Sequence, residues 1–298
     1  MKRRFVQCDV FSATPYYGNP LAVVVDGVGL SGSQMQRFAN WTNLSETTFL
    51  MAPSDPLADY KVRIFTPINE MPFAGHPTLG SCAAWLNAGN TPKDKNVVVQ
   101  ECNIGLVSID ISSEPPAFVA PPTNIDSMSS ALEQGLIAML GLQAGVFKQS
   151  AVLDNGPVWN VLELSSAEEV LSIDVANLNW GSISGGDLGF SGCLGLIGAK
   201  AGGSATVDSP DYEVRLFAPE AGIVEDPITG SLNAALALWL DTQGRLGDTM
   251  VVSQGTALDR QGRVFVRRDS SSILIGGHSH ILITVSYTHL TLPTILLV

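Results

Sequence analysis

His76 lies in the stretch PFAGHPTLGSCAAWL, residues 72–86, in a turn bracketed by glycine and proline just ahead of a helical-looking run. An imidazole titrates near neutrality and serves as acid, base or hydrogen-bond partner. A single histidine in a turn also has plainer roles, on the surface or in a core beside a polar partner. This one, of only four in the chain, stands in a segment that the sequence repeats. The first copy reads YKVRIFTPINEMPFAGHPTLGSCAAWL from Tyr60, and the second reads YEVRLFAPEAGIVEDPITGSLNAALALWL from Tyr212. Val62-Arg63-x-Phe65-x-Pro67 corresponds to Val214-Arg215-x-Phe217-x-Pro219 at an offset of 152 (214 − 62). Pro77-x-x-Gly80-Ser81 corresponds to Pro227-x-x-Gly230-Ser231 at an offset of 150 (227 − 77). The residue before the shared proline is then His76 in one copy and Asp226 in the other.

A duplicated strand–turn–helix unit predicts two similarly folded domains related by a pseudo-twofold axis. An axis that brings the two turns face to face sets an imidazole against a carboxylate across one cleft, the arrangement that proton transfer needs. Two helix N-termini facing the same cleft present unpaired N–H groups and positive dipole ends to an anion or carboxylate. Gly75, Gly80 and Gly230 let a ligand approach the backbone closely. The plainer reading is that glycine and proline only shape two equivalent turns. A weaker echo joins YGNP, residues 17–20, to DNGP, residues 154–157.

The elements that must position these groups are mostly short β-rich runs: LAVVVDG, YKVRIFTP and NVVVQE in one half, WNVLEL, LGLIGA, YEVRLFAP and VFVRR in the other. Helical patterns fall at Leu30–Asn40, Thr78–Asn87, Ser129–Leu140, Ala167–Leu171 and Ser231–Thr242. Both halves are therefore α+β, with strands outnumbering helices. Between them, SSEPPAFVAPPTNIDSMSS (residues 112–130) holds two Pro-Pro pairs, which suit neither a helix nor a central strand, and reads as a linker. The organisation expected is an N-terminal domain over 1–113, a linker over 114–128 and a C-terminal domain over 129–285, whose last strands have room to return to the first domain. The tail SYTHLTLPTILLV, residues 286–298, has no partner in the repeat and reads as a non-native or frameshifted end.

Composition narrows the function. The 298 residues are 45% hydrophobic and 15% charged, with a net charge of -12, which argues against nucleic acid or anionic membrane as a partner. No run approaches the ~18 apolar residues that span a membrane, and MKRRFVQCDVF at the start lacks the apolar core of a signal peptide. A cytoplasmic protein is the expectation. Cys8, Cys82, Cys102 and Cys193 are scattered and form no CxxC pair. His278-x-His280 has no nearby carboxylate or thiol to complete a coordination set, so no metal site is expected. SISGGDLGFSGCLG, residues 182–195, lacks GxGxxG and a P-loop lysine, and implies no nucleotide.

CDVFSATPYYGNPLAVV, NLSETTFL, VRIFTPINEMPFAGHPTLG and VRLFAPEAGIVEDPITGSLNAAL together resemble the PhzF-like phenazine-biosynthesis family of isomerases, from about Val6 to Val285. The resemblance implies a diaminopimelate-epimerase-like fold. In it, two similar domains related by pseudo-twofold symmetry each wrap a curved, mostly antiparallel sheet or barrel around a central helix, and the active site lies between them. Glu46 in NLSETTF, which read alone is an N-cap or strand-edge carboxylate, matches the family's proton-carrying glutamate. His76 and Asp226 match its accompanying histidine and aspartate, and Ser231 its site serine. Asn19 of the GNP segment, Ser45, Gly75, Pro77, Thr78 and Gly230 are expected around the substrate. Leu258-Asp259 replaces the family's usual Met-Gly, which leaves contacts from Arg260 or Arg263 unsupported. Cofactor-free racemases of this fold use two cysteines; Ala74 and Asp226 stand where these would align, so a two-thiol mechanism is not expected. The resemblance thus implies a cofactor-independent isomerase that moves a proton on a small carboxylate-bearing substrate, and allows a homodimer. The alternatives are a non-catalytic binding module on the same scaffold and an epimerase with a non-cysteine acid/base pair.

Overall fold

Helices α2 (Gly75–Asn87) and α5 (Gly230–Thr242) are buried on almost every side, as their runs of Ala, Leu, Cys and Trp require. Enclosing Leu232, Leu236 and Leu240 of α5 stabilises the fold by about 1.5–3 kcal/mol each. Such helices have to be surrounded, and strands surround them. The computed structural model describes residues 2–183, 188–219, 223–270 and 272–288.

In the first half the strands are β1 (Lys2–Val10), β2 (Asn19–Val24), β3 (Glu46–Met51), β4 (Tyr60–Phe65), β5 (Glu70–Met71), β6 (Val97–Cys102), β7 (Gly105–Asp110) and β8 (Ala117–Val119). They pair in the order β1-β2-β3-β4-β6-β7-β8, with β5 on β4; β2/β3 and β4/β6 are parallel and the rest antiparallel. In the second half they are β9 (Asn124–Asp126), β10 (Phe147–Asp154), β11 (Val158–Leu164), β12 (Cys193–Ala199), β13 (Tyr212–Ala218), β14 (Ile223–Asp226), β15 (Thr249–Gln254), β16 (Gly262–Asp269), β17 (Ser272–Gly276) and β18 (Ser279–Thr288). Order and polarity repeat: β10-β11-β12-β13-β15-β16-β17, with β14 on β13, and β11/β12 and β13/β15 parallel. The parallel pairs are the ones joined through helices, because parallel neighbours need a crossover. Helix α1 (Gly32–Thr42) bridges β2 to β3, α4 (Ala167–Ser172) lies between β11 and β12, and α2 and α5 make the central crossovers; α3 (Ser130–Leu140) precedes β10. All five helices fall where the sequence pattern puts them.

The halves are stitched at their edges. β8 pairs with β17, β18 runs back along β1, and β9 adds to β10. The Pro-rich stretch read as a linker thus carries β8 and β9, hydrogen-bonded to both halves while it crosses. One apolar cluster, from Val6 and Leu79 to Leu232 and Ile275, runs through the two halves. Of the tail, Ser286–Thr288 continue β18 and the Tyr287 ring stacks on Phe38 with centroids 5.1 Å apart. The remaining tail, 289–298, and positions 184–187 of the glycine-rich stretch lie outside the described residues.

The duplication reaches individual contacts. Arg63 pairs with Glu70 at 2.6 Å and Arg215 with Glu225 at 2.8 Å, and each guanidinium lies 5.0 Å from the ring of Phe65 or Phe217. It also corrects the alignment of the turns. Ile64 pairs with Met71 and Leu216 with Asp226, and the central helices start at Gly75 and Gly230. From Met71 onward the offset is therefore 155 (226 − 71), and Pro72, not Pro77, is the counterpart of Pro227. The hairpin between β13 and β14 is three residues longer than that between β4 and β5, and the recurrence of Pro-x-x-Gly-Ser masked this insertion. His76 corresponds to Ser231, and Ala74 to Thr229, not to Asp226.

Candidate active site

The starts of α2 and α5 meet at the junction of the halves. A Cβ on Gly75 would fall 2.9 Å from Gly230 Cα, so only glycine permits this approach. Neither start carries a side-chain cap: the residues ahead are Ala74 and Thr229, and the Thr229 hydroxyl turns to Asp226. Pro77, in the first turn of α2, has no N–H to leave unpaired there.

Around this junction the fold assembles the expected polar groups from four elements. Glu46 is the first residue of β3, beside Leu21 of β2; His76 is the second residue of α2; Asp226 ends β14; and Asn19 begins β2. Glu46 Oε2 lies 3.3 Å from His76 Nε2, with the side chains 15% and 4% exposed. The two atoms are in contact but not aligned for a hydrogen bond, and neither has another protein partner. Asn19, wholly buried, donates from Nδ2 to Asp226 Oδ1 at 3.2 Å and to Ile228 O at 2.9 Å, with His76 Nδ1 at 3.5 Å. His76 and Asp226 are thus joined through Asn19.

Burial dominates the electrostatics. It pushes the Glu46 carboxyl well above its ordinary range, and the charge of Asp226 adds to the push. It lowers the His76 imidazole to about 3, against a hydrogen bond to the Pro20 backbone that favours the cation. Asp226 rises to about 6 through burial, with Thr229 and Asn19 pulling it back. Burial thus favours the neutral carboxyl at Glu46 and the neutral imidazole at His76, while Thr229 and Asn19 favour the ionised form of Asp226. A carboxylic acid that is the most accessible of three buried groups can give a proton to a ligand in the cleft and take one back.

The other expected residues divide. Gly75, Pro77, Gly230 and Ser231 lie in the first turns of the two helices, and Ser45 is half-buried just before β3. The Thr78 hydroxyl instead donates to Ala74 O at 2.9 Å and accepts from Gln100 Nε2 at 3.1 Å, inside the first half. Arg263 donates through Nε to Val207 O at 2.7 Å, and Arg260 reaches Tyr16 O at 3.4 Å. His280 Nε2 is 2.9 Å from Ser12 O, His278 Nδ1 is 4.0 Å from Glu114, and no cluster of three metal-ligating side chains occurs among the described residues. The four cysteines form no disulfide among the described residues. Sequence reasoning missed Thr229 and Gln254, which hold the Asp226 turn; the Asp-Pro-x-Thr spacing was the available signal. No helix among the described residues is long and apolar enough to cross a membrane.

Comparison with known proteins agrees with this fold. Residues 8–284 match the PhzC-PhzF family model, described as phenazine biosynthesis-like protein. The chain is 35% identical over 291 residues to antisense-enhancing sequence 1 of Schizosaccharomyces pombe, covering 92% of this chain and 95% of that protein. It is 33% identical over 277 residues to the trans-2,3-dihydro-3-hydroxyanthranilate isomerase of Pseudomonas aeruginosa, covering 90% and 91%. Among solved structures, a predicted epimerase from Pseudomonas aeruginosa superposes with a TM-score of 0.78 at 26% identity, over 96% of this chain and 99% of that one.

Proposed function

The chain belongs to the phenazine biosynthesis-like family and is an isomerase, and from that premise we propose that it moves a proton within a small carboxylate-bearing substrate, with Glu46 as the carrier. The contact between Glu46 and His76 supports this reading most strongly: a desolvated carboxylic acid, 3.3 Å from an imidazole held neutral, where two uncapped helix starts converge. The substrate carboxylate lies against the N–H groups of those starts, which favour negative charge. Glu46 gives its proton to one end of a conjugated system. The resulting carboxylate then collects a proton from another carbon, and the substrate leaves with the same atoms and a shifted double bond. Neutral His76 accepts from or donates to the group beside the reacting carbon, and Asp226 stays charged, which disfavours a lasting second anion at Glu46. No step passes through a cofactor. The class of substrate is a small cyclic carboxylic acid, of the kind in the name of the Pseudomonas aeruginosa relative, and a homodimer is part of this reading.

The test is turnover of a panel of cyclic unsaturated carboxylic acids in deuterated water, followed by mass and NMR analysis. Solvent-derived label at the newly protonated carbon, lost in Glu46→Gln, is the expected result. Label incorporated at an undiminished rate by Glu46→Gln removes Glu46 from the reaction, and binding without exchange across the panel favours a non-catalytic module.

A further inference from the structure

One buried amide determines the direction of the hydrogen bonds around Asp226. Gln254, at the end of β15, is fully buried. The Thr229 backbone N–H can only donate, and it donates to Gln254 Oε1 at 3.0 Å. That assigns the amide. Oε1 also accepts from Asn233 Nδ2 at 2.9 Å, while Nε2 donates to Asp226 O at 3.2 Å and to Thr229 Oγ1 at 3.1 Å. Thr229 Oγ1 accepts from the amide through one lone pair, and Asp226 Oδ2 is the acceptor its own proton meets. On the other side, Ile228 O assigns Nδ2 of Asn19 as donor, and that nitrogen also donates to Asp226 Oδ1. Asp226 Oδ1 thus receives a donor whose direction a backbone carbonyl sets, and Oδ2 receives the Thr229 hydroxyl. Protonating either oxygen weakens one of these bonds.

We propose that Gln254 and Thr229 are positioning residues that hold Asp226 as the fixed anion of the site and so confine the exchangeable proton to Glu46. Asp226 is within electrostatic reach of Glu46 from β3 and of its neighbour Glu225, which is itself paired with Arg215, and His76 from α2 contacts the same Asn19 amide. Glu46, in contrast, has an oxygen without an aligned hydrogen-bond partner, and that oxygen is free to carry the proton. The catalytic sense of this assignment rests on the isomerase reading; the placement of the proton is tested without turnover.

Infrared difference spectra of the full chain near neutral pH compare the wild type with Glu46→Gln and with Asp226→Asn. The expected protonated-carboxyl band disappears in Glu46→Gln and persists in Asp226→Asn. In Thr229→Val the Asp226 midpoint moves up by roughly one to two pH units, the worth of a hydrogen bond to a charged group, and Thr229→Ser restores it. Gln254→Glu, which replaces the Nε2 donor with an acceptor, moves it the same way and serves should Thr229→Val fail to fold. A band lost in Asp226→Asn instead, or an Asp226 midpoint unmoved in the folded variants, overturns the proposal. Spectra as expected with no isotope exchange by the wild type overturn the isomerase reading alone.

Discussion

Gly75 and Gly230 begin the two central helices so close together that a Cβ on either one would lie within about 3 Å of the other's Cα: 2.9 Å from Gly75, 3.1 Å from Gly230. This contact brings the two uncapped helix starts to one point, and the proposed ligand site depends on it.

Gly75→Ala is therefore expected to force the halves apart, at about 1–3 kcal/mol for overpacking, and to weaken binding of small carboxylates. Gly247→Ala, where the nearest atom is 3.7 Å away, is the matched control. Thermal unfolding and calorimetric titration of both variants check this; equal affinity in Gly75→Ala and wild type shows that the site does not need this contact.

The two ion pairs of the repeat are predicted to differ in worth. Arg215 and Glu225 are 4% and 5% exposed, whereas Arg63 and Glu70 are 26% and 27% exposed. Arg215→Met leaves a buried carboxylate unpaired and is expected to cost about 3–5 kcal/mol. Arg63→Met is expected to cost about 1 kcal/mol or less. Chemical denaturation of the two variants decides, and equal losses contradict the burial argument.

Glu46 and His76 are predicted to tilt the pH dependence of stability in opposite directions. The Glu46 carboxyl is raised in the folded state, so the native protein binds the extra proton. Its contribution is complete below the ordinary value of 4.5 and is lost as pH rises through the folded value. Glu46→Gln keeps a neutral group there at every pH and is expected to melt above the wild type in alkaline buffer, with the gap closing toward pH 4.5.

His76 is lowered from 6.5 to about 3, so the unfolded chain binds the extra proton between those values. Its contribution is complete above 6.5 and is lost on acidification toward 3, with a limiting slope of about 1.4 kcal/mol per pH unit. From 4.5 to 6.5 the two slopes oppose each other. Asp226, raised to about 6, adds a fall of its own up to that value, so the signs are read against the wild type: His76→Gln is expected to tilt stability downward with rising pH, and Glu46→Gln upward. Denaturation midpoints at pH 4.5, 5.5 and 6.5 test both signs, and parallel profiles for the two variants refute the assignment.

The sequence by itself determined the local elements and the duplication. The five helices follow from apolar runs and their boundaries, the strands from short β-branched segments, and the repeat from VRIFTP and VRLFAP, because each of these patterns is contained within a few neighbouring residues. Glu46, His76 and Asp226 were legible as candidate site residues through the family motifs. Only the tertiary structure decided how they relate. The three-residue insertion before β14 made His76 the counterpart of Ser231, and strand pairing revealed it where motif matching did not. Asn19 reaches Asp226 across 207 positions, and Gln254 anchors the Asp226 turn from a strand 28 positions on. The Pro-rich stretch became β8 and β9 because two sheet edges stood ready to pair with it. Hydrogen bonds of that kind depend on which surfaces the folded chain brings together, and no periodicity along the chain encodes them.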